Sequence, residues 1–460
     1  MAAATADAAA PQRLRSPSAM SRLSPFTKGL GLIALLALAV RTVNAIQHRD
    51  FQVLGDAMTF HLVAQGLADG KGFVEAFPPG GPTAEHPPGL EVFLAFWDKL
   101  GANGFLAHRL ILGVVGTGTV VLIGLVGRKV AGARVGLTAA ALAAVYPMLW
   151  LADGALMSET LYGFFLVGAL LCALWVRAAP SWRRAAALGA LIALAALTRG
   201  EALTLVVLLA VPVAIASRST WRSRAALWGV TLAAFVAVLA PWTIFNLTRF
   251  DDPVLISTNS NGLFVGANCR DTYHGELIGA WRFQCYTPRR ANEDEAQYFA
   301  RQRKIGIEYA LDHTGRWPAV VAARLGRLAD VYRFDQSVFF NTAEGRPANP
   351  VRWGIRMYWV VALLALAGIV LLARRRRATA SGSGAPRLAE RRFGLIVLLA
   401  PIVMVVCVAI VTYGGTRFRY AAEPSLVILA AVALVAAAEG VVRSLRSERA
   451  AAPPASAPRA

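Results

Sequence analysis

Carboxylates and arginines recur in this sequence at the ends of long apolar runs. Asp56 lies nine residues past the first run, and Glu85 with His86 closes the polar stretch that follows. Asp153 and Glu159 flank the start of another run, Arg199 and Glu201 interrupt one as TRGE, and Arg417, Arg419 and Glu423 precede the last. Ionisable groups in or beside membrane-type segments are costly and usually functional. A carboxylate can take a proton from an attacking hydroxyl. Arginines hold phosphate through paired, charge-assisted hydrogen bonds. Together they suit group transfer away from a phosphate. That leaving group carries its own negative charge, so one base and a cationic clamp suffice.

The elements that must position these groups are membrane helices. The chain has 460 residues, 56% hydrophobic and 16% charged, with mean hydropathy +0.51; a soluble domain carries roughly 25% charged residues. Crossing the hydrocarbon core takes about 20 mainly apolar residues as a helix. Ten segments qualify as candidates: 29–47, 106–127, 134–151, 158–176, 185–198, 202–217, 225–247, 353–373, 393–412 and 424–442. The fold class expected is an all-α polytopic membrane protein with about ten transmembrane helices and a small extracytoplasmic domain. The net charge of +20 does not indicate nucleic acid, because the basic residues sit in short gaps between apolar runs. Arg13, Arg15, Arg22 and Lys28 begin an alternating series of basic loops that passes through Arg128, Arg183, Arg222 and Arg374–Arg377 to Arg443, Arg446 and Arg449. The positive-inside rule places these loops and both termini in the cytoplasm. The acidic groups and TRGE then fall on the outer side.

The expected organisation is a disordered cytoplasmic tail (1–28), an N-terminal transmembrane module (29–247) with a first external loop at 48–105, an extracytoplasmic domain (248–352), C-terminal transmembrane helices (353–445) and a second disordered tail (446–460). The 248–352 segment contains a helical pattern near 292–311. It also contains Cys269 and Cys285, sixteen positions apart. Outside the cytoplasm these two are expected to form a disulfide, with two free thiols as the alternative. Cys172 and Cys407 lie in apolar runs and read as packing residues.

Simpler roles compete at several positions. Asp56 could cap the helix that follows it. Glu159 could be an N-terminal helix charge, and Arg417 and Arg419 could snorkel at a helix end. Arg41 could snorkel too, or pair with an external acid. Glu85 and His86 are two ligands short of a metal site, so no metal site is assigned, although the chemistry leaves room for a divalent cation. The strip STNSNGLFVGAN at 257–268 reads as a turn, with sugar contact as the alternative. Trp281, Phe283 and Tyr286 read as packing for the external domain.

The motifs together resemble the GT-C-type integral membrane glycosyltransferases of the glycosyltransferase family 39-like branch, which includes protein O-mannosyltransferases and the aminoarabinose transferase of lipid A. GDAMTFHLVAQGLADGKGF at 55–73 is similar to the first external loop of that branch. The resemblance implies that Asp56 is the catalytic base, followed by an aromatic and a helix along the membrane, here with Phe60 and His61. Ala57 stands where many members have a second acid. PTAEHPPGL at 82–90, DGALMSETLY at 153–162 and LTRGEALTL at 197–205 continue the resemblance, with Glu159 at a family acid and Gly200 departing from the usual TRPE. GGTRFRYAAEP at 414–424 resembles a segment whose arginines approach the donor phosphate. The implied site has Asp56 and Glu159 as catalytic residues, and Arg199, Glu201, Arg417, Arg419, His61 and His86 on the donor. The implied partners are a polyprenyl-phosphate sugar donor, a hydroxyl-bearing glycan, lipid or protein acceptor, and membrane lipids.

The function expected is therefore inverting transfer of a sugar from a lipid phosphate to an extracytoplasmic hydroxyl. A lipid or solute transporter is the first alternative. Transporters gather polar groups near the bilayer midplane and often show inverted repeats; this sequence shows no repeat. A non-catalytic glycan-assembly subunit is the second.

Overall fold

The computed structural model describes residues 24–51, 54–77, 80–217, 220–374 and 384–451, apart from the side chains of 384–388 and 443–451. The expected tails, 1–28 and 446–460, lie outside the described residues at 1–23 and 452–460, as does most of the Arg374–Arg377 run; their described parts are not disordered, since the helices Pro25–Gln47 and Glu423–Ala451 take in 25–28 and 446–451. The described chain is helical, and its only β pairing is an antiparallel bridge between Val74 and Pro82.

The amino-terminal half runs α1 (Pro25–Gln47), α2 (Asp56–Ala68), α3 (Gly89–Lys99), α4 (Phe105–Ala131), α5 (Ala133–Val145), α6 (Pro147–Gly154), α7 (Glu159–Ala178) and α8 (Trp182–Ala196). A 3-10 turn (Gly200–Thr204) and a π turn then lead into α9 (Val211–Ala216) and α10 (Trp221–Leu247). Between the two blocks of long helices lie α11 (Asn259–Ala267), α12 (Arg270–Tyr273), α13 (Glu295–Asp312), α14 (Trp317–Leu328) and α15 (Phe334–Ala343). The chain closes with α16 (Ala348–Ala373), α17 (Gly384–Val411), α18 (Thr416–Arg419) and α19 (Glu423–Ala451).

Among the described residues seven helices are long and apolar enough to cross a membrane: α1, α4, α7, α10, α16, α17 and α19. The expected span at 134–151 is the bent pair α5–α6, turned by 50° at Tyr146, where Pro147 follows and favours extended backbone at the residue before it. The expected fifth and sixth spans are shorter. α8 has 15 residues, and the apolar stretch Gly200–Ala216 is broken by its 3-10 and π turns. The count of ten is therefore approximate, while the all-helical polytopic class holds.

Local signals account for several helix ends. Ser24 caps α1 with Pro25 in its first turn. Asp294 and Gln297 form a reciprocal capping box on α13. Because lipid is as apolar as the helices, packing between them relies on close backbone approach at small residues. A Cβ added at Gly189 of α8 would meet the carbonyl oxygen of Thr231 in α10 at 2.0 Å, and one at Gly368 of α16 would meet that of Leu429 in α19 at 2.0 Å.

The stretch read as a turn at 257–268 is mostly the helix α11, which packs on α13. Cys269 and Cys285 are joined as a disulfide across a Cα separation of 6.2 Å. Trp281, Phe283 and Tyr286 pack on one another, the last two stacked at 5.3 Å.

Candidate functional site

Gly55 has φ 57°, a left-handed conformation that glycine adopts without a Cβ penalty, and it turns the chain sharply into α2. Asp56 is the first residue of that helix, and no side chain caps it. The carboxylate is turned instead to Arg417, whose Nη1 donates to Asp56 Oδ2 at 2.6 Å. The simple capping role is thus not what the structure shows.

Arg417 reaches Asp56 because Glu159 holds it from behind. Its Nε donates to Glu159 Oε1 at 2.6 Å, and Arg199 Nη1 donates to the same oxygen at 2.8 Å. Arg199 Nε donates to Glu201 Oε1 at 2.6 Å. The guanidinium of Arg199 lies 5.5 Å from the ring centre of Phe418. The chain comes together here from four places: α2, the start of α7, the TRGE break and α18. The break is ordered by its neighbour, since Gly89 N donates to Leu197 O at 2.6 Å. Irregular backbone at membrane depth requires such protein partners.

These groups border a cavity of about 260 Å³. Asp56, Glu85, His86, Arg199, Glu201 and Arg417 line it on one side; Ser257, Asn259 and Ser260 close it from α11 and the residues before it, with Tyr413 beyond the end of α17. Of the residues expected on the donor, His86, Arg199, Glu201 and Arg417 are brought together with Asp56. Two are not. His61 lies on the far side of α2, its Nδ1 3.2 Å from that of His108, which in turn meets Asp98 at 2.7 Å. Arg419 is two residues past Arg417 and so faces away from it. It is buried between Asp330 (2.6 Å) and Glu423 (2.7 Å), over the ring of Tyr358. Both of its carboxylate partners are structural, so this guanidinium is spent on packing. Glu159 is fully buried and does not line the cavity; its geometry is that of a positioning residue. Arg41 pairs with Asp153 at 2.6 Å, which also removes Asp153 from the site.

The electrostatics separate the acids. Burial pushes the Asp56 carboxyl up, but Arg417, His86 and Arg199 outweigh it and hold it at about 2. Asp56 is therefore ionised at neutral pH. Burial depresses His86, whose Nε2 lies 3.8 Å from Asp56 Oδ1 and has no hydrogen-bond partner among the described residues. Glu85 behaves in the opposite sense. Burial, then the charges of Asp56, Glu295 and Glu75, raise its carboxyl to about 8. Its side chain makes no hydrogen bond or ion pair among the described residues, so nothing stabilises the charged form. A proton on Glu85 spares the cavity a further negative charge.

This has a measurable consequence. Unfolded, Glu85 releases its proton near 4.5; folded, it keeps it to about 8. The folded state binds the extra proton, so the contribution of Glu85 to stability declines as pH rises through that window. Glu85→Gln mimics the protonated form and lacks this loss. Melting curves in detergent from about pH 5 to about pH 9 should show the variant gaining on the parent as pH rises. Parallel curves would mean that Glu85 is ionised throughout.

Sequence reasoning grouped Glu85 with His86 but gave it no role in the site, it gave sugar contact only as the alternative for the strip that holds Ser257, Asn259 and Ser260, and it missed Tyr413 as a cavity residue. Tyr413 directly precedes the GGTRFRY motif, which could have flagged it. The polar strip at 257–260 was itself the signal for sugar contact, but only tertiary packing brings it to Asp56. Among the described residues no group of three or more His, Cys, Asp or Glu side chains is placed to hold a metal ion.

The comparisons with known proteins agree with this architecture. The family described as dolichyl-phosphate-mannose-protein mannosyltransferase matches residues 85–245, about a third of the chain. That segment holds Glu85, His86, Glu159, Arg199 and Glu201. No curated protein matches the chain in sequence. Among solved structures, the archaeal oligosaccharyltransferase AglB from Archaeoglobus fulgidus, in complex with an inhibitory peptide and a dolichol-phosphate, superposes with TM-score 0.53 at 15% identity, over 93% of this chain and 52% of that one. The apo form of the Archaeoglobus fulgidus enzyme gives TM-score 0.56 at 15% identity, over 95% and 53%. ArnT from Cupriavidus metallidurans, bound to undecaprenyl phosphate, gives TM-score 0.43 at 15% identity, over 89% and 76%. The chain spans about half the length of the archaeal enzyme. This chain is thus a multi-pass membrane protein with the fold of the GT-C-type integral membrane glycosyltransferases.

Proposed function

We propose that this chain transfers a sugar from a polyprenyl-phosphate carrier to a hydroxyl acceptor on the outer face of the membrane, with inversion and with Asp56 as general base. The observation that carries this reading is the Asp56–Arg417 pair on the wall of the cavity. An ionised carboxylate and a guanidinium lie within 2.6 Å of each other, and Glu159 anchors the guanidinium from behind. In the reaction the acceptor oxygen attacks the anomeric carbon while its proton passes to Asp56. The bond from that carbon to the phosphate oxygen breaks, and its electron pair leaves with the phosphate. Arg417, with Arg199 beside it, offsets the charge that develops there. A single displacement inverts the anomeric centre. The matched family and the archaeal complex both carry dolichol-phosphate in their descriptions, which supports a lipid-phosphate donor here.

The outer placement rests on the alternation of basic loops, and it puts the 248–352 segment outside. Arg290 offers a site to test this, because its side chain is 73% exposed. An Arg290→Cys protein in intact cells should react with an impermeant thiol reagent. Labelling only after lysis would reverse the topology and move the site to the cytoplasm.

Purified protein supplied with a labelled polyprenyl-phosphate sugar tests the activity itself. Free polyprenyl phosphate should appear in step with labelled acceptor when lipid, cell-wall glycan and protein fractions are screened. Binding of the donor with no turnover in any fraction would favour a non-catalytic subunit; movement of intact donor across a bilayer would favour a transporter.

A further inference from the structure

A second cavity of about 220 Å³ lies on the other side of Arg417 and Tyr413, which line both. Its remaining wall comes from the chain between α12 and α13, from α14 and α15, and from Gly414–Thr416. Arg327 of α14 faces it and is 2% exposed. Three neutral oxygens fix this guanidinium. Nε donates to Ile278 O at 2.7 Å, and Nη2 donates to Glu276 O and Gln336 Oε1, both at 2.8 Å. Nη1 has no hydrogen-bond partner among the described residues, and no carboxylate there pairs with Arg327. Glu344, the one acid lining the cavity, is engaged by Arg346.

A buried cation without a counter-ion is unfavourable by several kcal/mol. Burial accordingly pulls the Arg327 pKa down to about 10, still well above neutral pH. Such a group, rigidly held in a cavity wall with one donor nitrogen left unpartnered, is preorganised for an anion. The other walls narrow the choice. Trp281, Phe340 and Tyr413 offer flat apolar faces that suit the C–H face of a sugar ring, and Asn341 offers hydrogen bonds to its hydroxyls. This arrangement does not resemble a slot for a lipid chain, which would need a continuous apolar wall.

We propose that this second cavity is the acceptor's subsite and that it takes a sugar bearing an oxyanion, a carboxylate or a phosphate, seated against Arg327. The proposal rests on the transfer reading above. The acceptor would enter from the Arg327 side and present its hydroxyl past Arg417 to Asp56.

The test is equilibrium binding by titration calorimetry on the full chain in nanodiscs. The probes are methyl glucuronide, methyl glucoside 6-phosphate, neutral methyl glucoside and undecaprenyl phosphate. At least one acidic glycoside should bind about ten- to a hundredfold tighter than the neutral one, the range expected for a charged hydrogen bond. Which acid prevails distinguishes carboxylate from phosphate. Arg327→Gln should erase that preference and leave undecaprenyl phosphate binding unchanged. Arg327→Lys, which retains the charge and is the safer variant for folding, should keep part of the preference. Arg417→Lys should weaken undecaprenyl phosphate instead. Equal binding of acidic and neutral glycosides by the parent protein overturns the proposal. So does loss of undecaprenyl phosphate binding in a folded Arg327 variant, because the cavity would then serve the donor. Failure of the transfer reading is a separate result: the acid preference would persist while labelled donor is never turned over.

Discussion

Asp56→Asn is expected to abolish sugar transfer while leaving expression and donor binding largely intact. The carboxylate is held at about 2, so at neutral pH it is ready to accept a proton without further tuning. General-base catalysis is typically worth about 100- to 10,000-fold, or roughly 3 to 5.5 kcal/mol of barrier. Asparagine keeps the size of the side chain and can still accept a hydrogen bond from Arg417, but it cannot take up the proton. Arg417 also retains Glu159 at 2.6 Å, so the site should remain assembled. If Asp56 served only the helix, the outcome would differ, since asparagine caps about as well as aspartate and activity would survive. The measurement is transfer from labelled polyprenyl-phosphate sugar, with the anomeric configuration of the product read by nuclear magnetic resonance. An active Asp56→Asn protein would falsify the base assignment. A product that retains the donor's configuration would do the same for the single-displacement mechanism.

Glu159→Ala should have the largest effect on stability. Glu159 is fully buried, and one of its oxygens accepts from both Arg417 and Arg199. Breaking a buried ion pair from one side costs about 3–5 kcal/mol, because the remaining charge is left uncompensated. Asp56 and Glu201 each keep one of the arginines, so the lower part of that range is expected. Glu159→Gln retains a hydrogen-bond acceptor but not the charge, and it should fall between the parent and the alanine variant. The role is positioning, so stability alone does not define it. In variants that still fold, donor affinity should drop as Arg417 loses its anchor. Melting temperature and undecaprenyl phosphate binding, measured on the same preparations, check both halves. A drop in stability with unaltered donor affinity would make Glu159 merely structural.

The pairing of Arg199 and Arg417 through one carboxylate also explains why the arginine motif could be misread in part. GGTRFRY presents Arg417 and Arg419 as equivalent, and residues two apart on a helical turn point in opposite directions. Which of them faced the cavity depended on where Asp330 and Glu423 lay. Asp330 sits in the turn after α14, far away in sequence. His61 follows the same logic: the resemblance implied it on the donor, but its face of the helix packs on His108.

What the sequence determined by itself is the part governed by the solvent. Apolar runs of sufficient length must become helices in a membrane, because every backbone polar group has to be satisfied within the segment. Their helical class and order were therefore legible, though not their number, as was the clustering of Asp56, Glu85, His86 and Glu159 at run ends. So was the helix near 292–311, whose capping residues are local. What only the tertiary structure decided is everything that depends on contacts between distant segments. Asp56 and Arg417, 361 positions apart in sequence, are joined by a 2.6 Å contact. Arg41 takes Asp153 out of play, and α11 supplies the far wall of the cavity. Composition carries no trace of such pairings, since a charge does not state its partner. They follow from helix packing set by small residues such as Gly189 and Gly368, and from the cost of burying a charge that has no partner.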